Sequence, residues 1–243
     1  MLDDMDSTHS GMVIEGREAS SDLEVGQSIW LELSVFFDGP ADPRLAASDV
    51  TVIFNAGDTP TRVVTDSHGK AGFFYTATQP GPVAVTAILD VENKGIAPPS
   101  HTFNFEVLAA GVWDDAYIEL RDGGERRVWG GPTLFPRIGQ TFILKLSVTD
   151  VGSALIDRDI CLGQKGDTSV SELGLTVEPA LGVSRKMSLS GLTWLCRGTS
   201  GGAFGFQLAA SRLLNLSPIH RMSLGSSSPD SHLKSDVEVQ VPG

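Results

Sequence analysis

The stretch that decides the fold is residues 61–87, Thr-Arg-Val-Val-Thr-Asp-Ser-His-Gly-Lys-Ala-Gly-Phe-Phe-Tyr-Thr-Ala-Thr-Gln-Pro-Gly-Pro-Val-Ala-Val-Thr-Ala. It consists of two strand-like runs joined by Asp-Ser-His-Gly and, after a Gly-Pro break, a third run. The Asp66 side chain can accept a hydrogen bond from the backbone two residues further on, and Gly69 can adopt the positive φ of a tight turn. The stretch therefore predicts β-strands joined by a structural turn at Asp66 and Gly69.

The neighbouring residues continue the strand pattern. Residues 27–37 place aliphatic side chains at alternate positions, with Trp30, Glu32 and Ser34 between them, as expected of a strand with one buried face. The other candidate strands of the first half are residues 12–15, 49–54, 62–65, 70–78, 83–89 and 101–108. About seven strands with turn signals at short intervals are typical of an immunoglobulin-like (Ig-like) β-sandwich.

Two segments resemble a known family. Residues 64–71 (Val-Thr-Asp-Ser-His-Gly-Lys-Ala) and 81–87 (Gly-Pro-Val-Ala-Val-Thr-Ala) resemble the strand-turn-strand and following strand of bacterial Ig-like domains in the invasin and intimin class of surface proteins. The resemblance covers residues 20–109. It implies an Ig-like fold and a spacer or adhesion role outside the cell, and it implies no binding residues because the matching positions are structural.

A domain boundary is predicted at Leu108-Ala109-Ala110-Gly111, where small residues follow the last strand of the first half. We therefore expect a polar tail at residues 1–10, an Ig-like β-sandwich at 11–110, and a second, less regular β-sandwich with longer loops at 111–243. The overall prediction is an all-β chain with two tandem immunoglobulin-like β-sandwiches.

Shorter alternating runs support the second sandwich. They lie at residues 116–120, 125–129, 141–148, 158–162, 175–177, 183–189, 192–196, 202–209 and 237–241. Residues 208–216 fit a short helix equally well by spacing. Both halves have a Gly-Gln-Ser/Thr start before their best strand, at Gly26 and at Gly139, which favours two related folds.

Charge and hydropathy exclude some partners. Residues 1–110 carry 5 basic and 16 acidic side chains (5 − 16 = −11), and the remaining residues carry 13 and 14 (13 − 14 = −1). An acidic first half argues against nucleic acid, which demands a basic face. No apolar run approaches the roughly 20 residues of a membrane span, so we expect no membrane insertion by this segment.

The start of the chain, Met-Leu-Asp-Asp-Met-Asp, is acidic and shows no signal peptide. The protein is then either cytosolic or a piece of a longer exported chain. The family resemblance favours the second possibility, with an extracellular or cell-surface location.

Two segments contain residue types found in hydrolases. Residues 198–202 fit the Gly-x-Ser-x-Gly pattern around Ser200, but a nucleophile elbow needs a helix after the serine, and here the alternation predicts a strand. Asp66, Ser67 and His68 are consecutive in a turn and cannot form the relay of a triad. The other four histidines have no metal-like spacing. We expect no enzymatic activity and no catalytic residue.

Two pairs of residues are further candidate sites. Cys161 and Cys196 are predicted on strands, where they would either form an inter-sheet disulfide or remain two thiols, depending on the compartment. Asp114 and Asp115 lie close to the boundary, where carboxylates can bind Ca²⁺; no other cofactor is expected.

Trp113, Trp129 and Trp194 would make a stacking platform for sugar rings if exposed together, although tryptophans in a sandwich core are commoner. We therefore predict a non-enzymatic spacer or adhesion module. The alternative is a module that recognises a carbohydrate or protein through the second domain.

Overall fold

The computed structural model describes residues 11–17, 19, 21–38, 43–57, 59–91, 97–122, 125–129, 136–165 and 169–225. Every regular element in these ranges is a β-strand, which confirms the all-β prediction. The chain divides into two compact units, Met1–Ala110 and Gly111–Gly243. The predicted polar tail at 1–10 and the predicted strand at 237–241 lie outside the described residues.

The strands of the first unit form two sheets. One sheet has the order β1-β3-β4, with β7 also paired to β3, and the other has the order β2-β9-β8-β5-β6. The strands are β1 (Met12–Gly16), β2 (Leu23–Glu24), β3 (Ser28–Asp38), β4 (Pro43–Ala46), β5 (Thr51–Asn55), β6 (Thr61–Val64), β7 (Lys70–Thr76), β8 (Gly81–Leu89) and β9 (Ser100–Leu108). The sequence pattern did not indicate β2 and β4, because each is too short to show an alternation.

The two sheets of the first unit pack face to face. Phe54 of β5 stacks on Phe73 of β7 at 5.4 Å between ring centroids, and Tyr75 of β7 meets Phe105 of β9 edge-on at 5.2 Å. Leu31, Leu33 and Val35, at inward positions of β3, are buried, as are aliphatic and aromatic positions of the second sheet that face them. This is the layer arrangement of an Ig-like β-sandwich.

The Asp66 turn carries the chain from one sheet to the other. β6 pairs with β5 in the second sheet, whereas β7 pairs with β3 in the first. The amides of His68 and Lys70 donate to Asp66 Oδ1 at 2.8 and 2.9 Å, and the amide of Gly69 donates to the Asp66 carbonyl. The turn is formed as predicted, but the two strands beside it do not pair with each other.

Thr65, next to this turn, is a structural residue that the sequence pattern did not single out. Its side chain is buried; Oγ1 donates to the Ala47 carbonyl at 2.7 Å and accepts from the Val50 amide at 2.9 Å. One hydroxyl therefore ties the loop before β5 to the turn, and a buried polar group is satisfied.

The second unit also contains two sheets. Their orders are β11-β10-β12-β16-β14 and β15-β13-β17-β18. The strands are β10 (Ala116–Asp122), β11 (Glu125–Trp129), β12 (Thr141–Val148), β13 (Asp159–Lys165), β14 (Thr176–Glu178), β15 (Arg185–Lys186), β16 (Leu192–Arg197), β17 (Gly202–Ala210) and β18 (His220–Leu224). Alternate residues of β12, β16 and β17 are buried and form the core.

In two segments of the second unit the structure differs from one expectation based on the sequence pattern. Residues 208–216 do not form a helix, because β17 continues through Ala210 and a turn follows. The predicted strand at 183–189 is reduced to β15, since only residues 185 and 186 pair with β13. β18 was not predicted, because its mixed pattern His-Arg-Met-Ser-Leu spans only five residues.

The same structural element precedes β3 in the first unit and β12 in the second. Gly26 and Gly139 both have positive φ, at 92° and 77°. The Gly26 amide donates to the Ala77 carbonyl just after β7, the partner of β3; the Gly139 amide donates to the Gly198 carbonyl just after β16, the partner of β12. The Gly-Gln-Ser/Thr correspondence is therefore a repeated structural element.

Candidate functional site

Two of the three tryptophans considered as a platform in the second unit are buried. Trp194 is 1% exposed and Trp113 is 8% exposed, and the Trp113 indole N–H donates to the Asn215 carbonyl at 3.1 Å. Trp194 shares the inward face of β16 with Leu192 and Cys196, so strand alternation buries it. The side chain of Trp129 lies outside the described residues.

Of the two possibilities for Cys161 and Cys196, a disulfide or two thiols, the structure has two free thiols. Cys196 faces the core from β16, and burial raises its pKa to about 12. Cys161 lies on β13 between the buried residues Ile160 and Leu162, so its side chain leaves the opposite face of that strand. A bridge across the two sheets would need both sulfurs on inward faces.

The predicted Ca²⁺ residues lie in the turn before β10. Asp114 is exposed and its carboxylate lies against Gly111, while the backbone carbonyl of Asp115 accepts hydrogen bonds from the amide and hydroxyl of Thr149 at 2.9 and 3.2 Å. Within the described ranges, no three His, Cys, Asp or Glu side chains gather as a metal site would require. Ca²⁺ binding at Asp114 and Asp115 stays a prediction.

The residue types of a hydrolase are not assembled at the two candidate segments. Ser200 lies in a turn between β16 and β17, and its amide and that of Thr199 both donate to the Leu173 carbonyl. A nucleophile elbow instead places a helix after the serine. In the other segment, Ser67 Oγ lies 3.3 Å from His68 Nδ1, but the Asp66 carboxylate is occupied by backbone amides.

An exposed aromatic pair lies on the first unit. Trp30 of β3 and Phe74 of β7 are direct cross-strand partners on the face of the sheet that points away from the core. Their ring centroids are 4.6 Å apart and their planes are inclined at 57°. The two residues are 48% and 67% exposed. Large aromatic side chains exposed together are typical of recognition surfaces.

The indole of Trp30 lies over a glycine. Gly72 stands next to Phe74 on the same face of β7, and an added Cβ there would lie 1.9 Å from Trp30 Cζ2 and 2.5 Å from Cε2. The six-membered ring of the indole therefore occupies the volume that any other side chain at position 72 would fill. The absence of a side chain at Gly72 therefore gives the Trp30 indole its position.

Polar groups border the aromatic pair at both ends. On one side the hydroxyls of Ser28 and Thr76 are 2.8 Å apart. On the other side Lys70 Nζ donates to Glu32 Oε1 at 2.8 Å. We call this set the β3–β7 outer face: Ser28, Trp30, Glu32, Lys70, Gly72, Phe74 and Thr76.

Electrostatic contacts hold the charged end of this face in its ionised state. The pKa of Glu32 is lowered, first by the hydrogen bond from Lys70 and more weakly by one from the Trp30 indole. The pKa of Lys70 is raised by the same bond to Glu32. The pair is half-exposed, so solvent screens the attraction and its value for stability is small. Its consequence for the site is orientation, because the bond holds the carboxylate and the ammonium together beside Trp30.

The sequence contained part of the signal for this site. The alternation in β3 already places Trp30 on the face opposite Leu31 and Leu33. It does not identify Phe74 as the partner, because that pairing depends on which strand lies beside β3. The second half contains three tryptophans, but Trp113 and Trp194 are buried and are not part of an exposed surface.

The chain has structural similarity to known proteins without a detectable relative in sequence. No family model matches it, and no curated protein matches it significantly. The D0-D1 domain of intimin is 14% identical, with a TM-score of 0.33 over 86% of this chain and 96% of that one. The fibronectin(III)-like modules of Clostridium thermocellum CbhA are 13% identical, with a TM-score of 0.45 over 88% and 92% of the two chains.

A third similar structure is the C-terminal 282-residue fragment of intimin, solved in complex with the intimin-binding domain of the translocated intimin receptor. It is 16% identical, with a TM-score of 0.41 over 86% of this chain and 61% of that one. At these identities the similarity concerns the fold, and no site residue is transferred from it. Two of these three structures are of intimin, a member of the class that residues 64–71 and 81–87 resemble.

Proposed function

We propose that this chain is a non-enzymatic adhesion module of a bacterial surface or secreted protein, and that the β3–β7 outer face is its contact surface. The observation that carries the proposal is the exposed aromatic pair, Trp30 and Phe74, held over Gly72. A spacer alone needs only closed sandwiches with polar outer faces. An exposed indole with a fixed position indicates contact with a partner as well.

The placement of the polar groups supports a non-enzymatic role. Asp66 caps a turn, Thr65 ties a loop, and Ser200 lies in a strand-to-strand turn. Each of these residues thus has a structural role in the fold. The recognition surface proposed here also lies on the first unit, whereas the sequence favoured the second.

We also propose that the chain lies outside the cell, as part of a longer exported protein. Support comes from the resemblance of residues 64–71 and 81–87 to surface-protein domains. In the part of the chain that the structure describes, no helix has the length and hydrophobicity of a membrane span. The intimin fragment binds a protein receptor; for this chain, the partner is a protein or a carbohydrate on a surface.

A bead assay tests the proposal. Fluorescent beads coated with the full chain are passed over a mucin-coated surface, which presents both protein and glycans, and their retention under flow is measured. We expect retention that falls to background for the Trp30→Ala, Phe74→Thr double variant. Leu195→Thr is the matched control, because Leu195 is a 45% exposed strand residue of the other unit. Equal retention of wild-type and double-variant beads contradicts the proposal.

A further inference from the structure

The composition of the β3–β7 outer face indicates the class of ligand. We propose that this face binds a neutral oligosaccharide, with a pyranose ring stacked on Trp30 beside Phe74 and its hydroxyl groups bonded to the polar side chains at either end. The inference rests on the proposed adhesion function and adds the chemistry of the partner.

The shape of the apolar patch favours a sugar over a protein. Protein interfaces have a contiguous apolar centre from which charged residues are depleted. Here the aromatic pair is one residue wide on each strand, and the next outward positions are Ser28 and Thr76 on one side and Glu32 on the other. A pyranose ring matches this layout, since its C–H faces are apolar and its edge carries hydroxyl groups.

The polar border offers both hydrogen-bond donors and acceptors. Glu32 supplies carboxylate oxygens, one of which already accepts from Lys70, and Lys70 supplies further N–H donors. The Ser28 and Thr76 hydroxyls, 2.8 Å apart, each donate and accept. From Ser28 to Glu32 the strand advances about 13 Å at 3.3 Å per residue. Sugar hydroxyls above Trp30 therefore have partners on both sides.

The aromatic ring is in place before a ligand arrives. Gly72 leaves room for the indole directly above the strand. A binding group that is already ordered loses less conformational entropy on association. The indole also covers the backbone of Gly72, so the contact between Trp30 and Gly72 stabilises the sheet. Matched variants separate this stabilising role from ligand binding.

The charge of the unit selects among sugars. Residues 1–110 have a formal charge of 5 − 16 = −11. A strongly acidic surface repels polyanions such as uronic acid polymers over the range that salt does not screen. The face itself carries one carboxylate and one ammonium, which compensate each other. We therefore expect neutral sugars as ligands.

Tryptophan fluorescence of the full chain provides the measurement. The probes are cellohexaose, chitohexaose and maltohexaose as neutral sugars and hexagalacturonate as the anionic sugar. We expect a saturable change in emission with at least one neutral probe, and no saturation with hexagalacturonate. Because Trp30 is itself the reporter, binding to Trp30→Ala is measured by isothermal titration calorimetry, and we expect the heat of binding to be lost. In Gly72→Ala, where the new Cβ displaces the indole without removing it, affinity falls about tenfold or more.

Matched variants distinguish binding from stability. Gly163→Ala adds a Cβ at another strand glycine, where the nearest atom is 3.5 Å away, and leaves binding unchanged. Phe74→Thr removes the second ring while keeping a residue that favours strands, so it tests the site even if Trp30→Ala unfolds. Thermal unfolding of each variant shows which ones are folded.

The proposal is overturned if no neutral probe saturates, if only hexagalacturonate binds, or if folded Trp30→Ala and Phe74→Thr bind as the wild type does. One further outcome would refute the sugar ligand and still support the adhesion function. Beads that remain bound to mucin after enzymatic removal of the glycans, and lose retention in the double variant, support adhesion to protein and refute the sugar.

Discussion

Gly69 meets two independent constraints at the residue scale. Its φ of +72° lies in the left-handed region, where a Cβ is disfavoured. An added Cβ would also lie 2.4 Å from the Val35 carbonyl oxygen and 3.0 Å from the Ala47 amide nitrogen. Both contacts are to backbone, which cannot move as a flexible side chain would. Glycine is required here by conformation and by space.

Comparing Gly69→Ala with Gly26→Ala separates the two constraints. Gly26 has a φ of +92° but no atom within 4 Å of an added Cβ. We expect Gly26→Ala to lower the free energy of unfolding by about 1–2 kcal/mol. Gly69→Ala adds an overpacking cost of about 1–3 kcal/mol. Urea unfolding measures both, and equal losses would show that the close approach to Val35 is not a constraint.

Asp66 makes the turn sensitive to acid. Its pKa is lowered from its usual value of 3.8, first by the hydrogen bond from the Lys70 amide and then by that from the His68 amide. Because the folded pKa is depressed, the charged form contributes stability above pH 3.8 that is lost as the pH falls through the folded value.

We expect wild type to be more stable than Asp66→Asn at neutral pH, and the difference to close as the pH falls below 3.8. The asparagine keeps an acceptor oxygen without the charge, so the comparison isolates ionisation. Urea unfolding of both proteins across the acid range is the measurement. A difference that stays constant down to about pH 2 would refute this role.

At the scale of elements, the alternation of single strands decides where the cysteines point. Cys196 shares the buried face of β16 with Trp194, whereas Cys161 lies on the outward face of β13. Two residues can both be on strands, as predicted, and still be unable to bridge. The sequence shows the period, but the inward face of a short strand such as β13 becomes clear only from the core around it.

Thiol labelling checks this arrangement. Iodoacetamide should modify one cysteine in the native chain without reductant, because Cys161 is half-buried while burial keeps Cys196 protonated with a pKa of about 12. Two cysteines should react in urea, again without reductant. The Cys161→Ser variant should show no reaction when native. Finding no free thiol in the unfolded chain would restore the disulfide.

The pairing of the strands was less predictable than their positions along the chain. Strands were expected at residues 62–65 and 70–78 on local grounds, and strands form at residues 61–64 and 70–76. Their sequence resembles a hairpin, yet β6 and β7 belong to different sheets. The amide of Val35 donates to the Gly69 carbonyl at 2.7 Å, so contact with β3, distant in sequence, aligns the turn.

At the scale of the whole molecule, each unit has its own set of buried side chains. Phe54 and Phe103 are fully buried in the first unit, and Phe142 and Phe206 in the second. Residues from both sheets of the first unit form one continuous core cluster. A cavity in one unit therefore removes contacts within that unit.

The Phe54→Ala variant tests this independence. Truncating a fully buried phenylalanine costs about 3–5 kcal/mol. We expect hydrogen exchange, read by mass spectrometry, to become faster in peptides from residues 11–110 and to stay unchanged in peptides from 111–225. Phe206→Ala should give the reverse pattern. Equal acceleration in both units after either change would contradict separate cores.

The sequence by itself determined the fold class, most strands and the turn at Asp66, because a period of two and the chemistry of Asp and Gly act over a few neighbouring residues. Only the tertiary structure decided that β6 and β7 part into different sheets, that Trp194 is buried, and that Trp30 meets Phe74. These outcomes depend on which distant strands pack together. Whether an outward side chain is covered or exposed is a property of the packed sheets, so the candidate binding face could be recognised only in the folded unit.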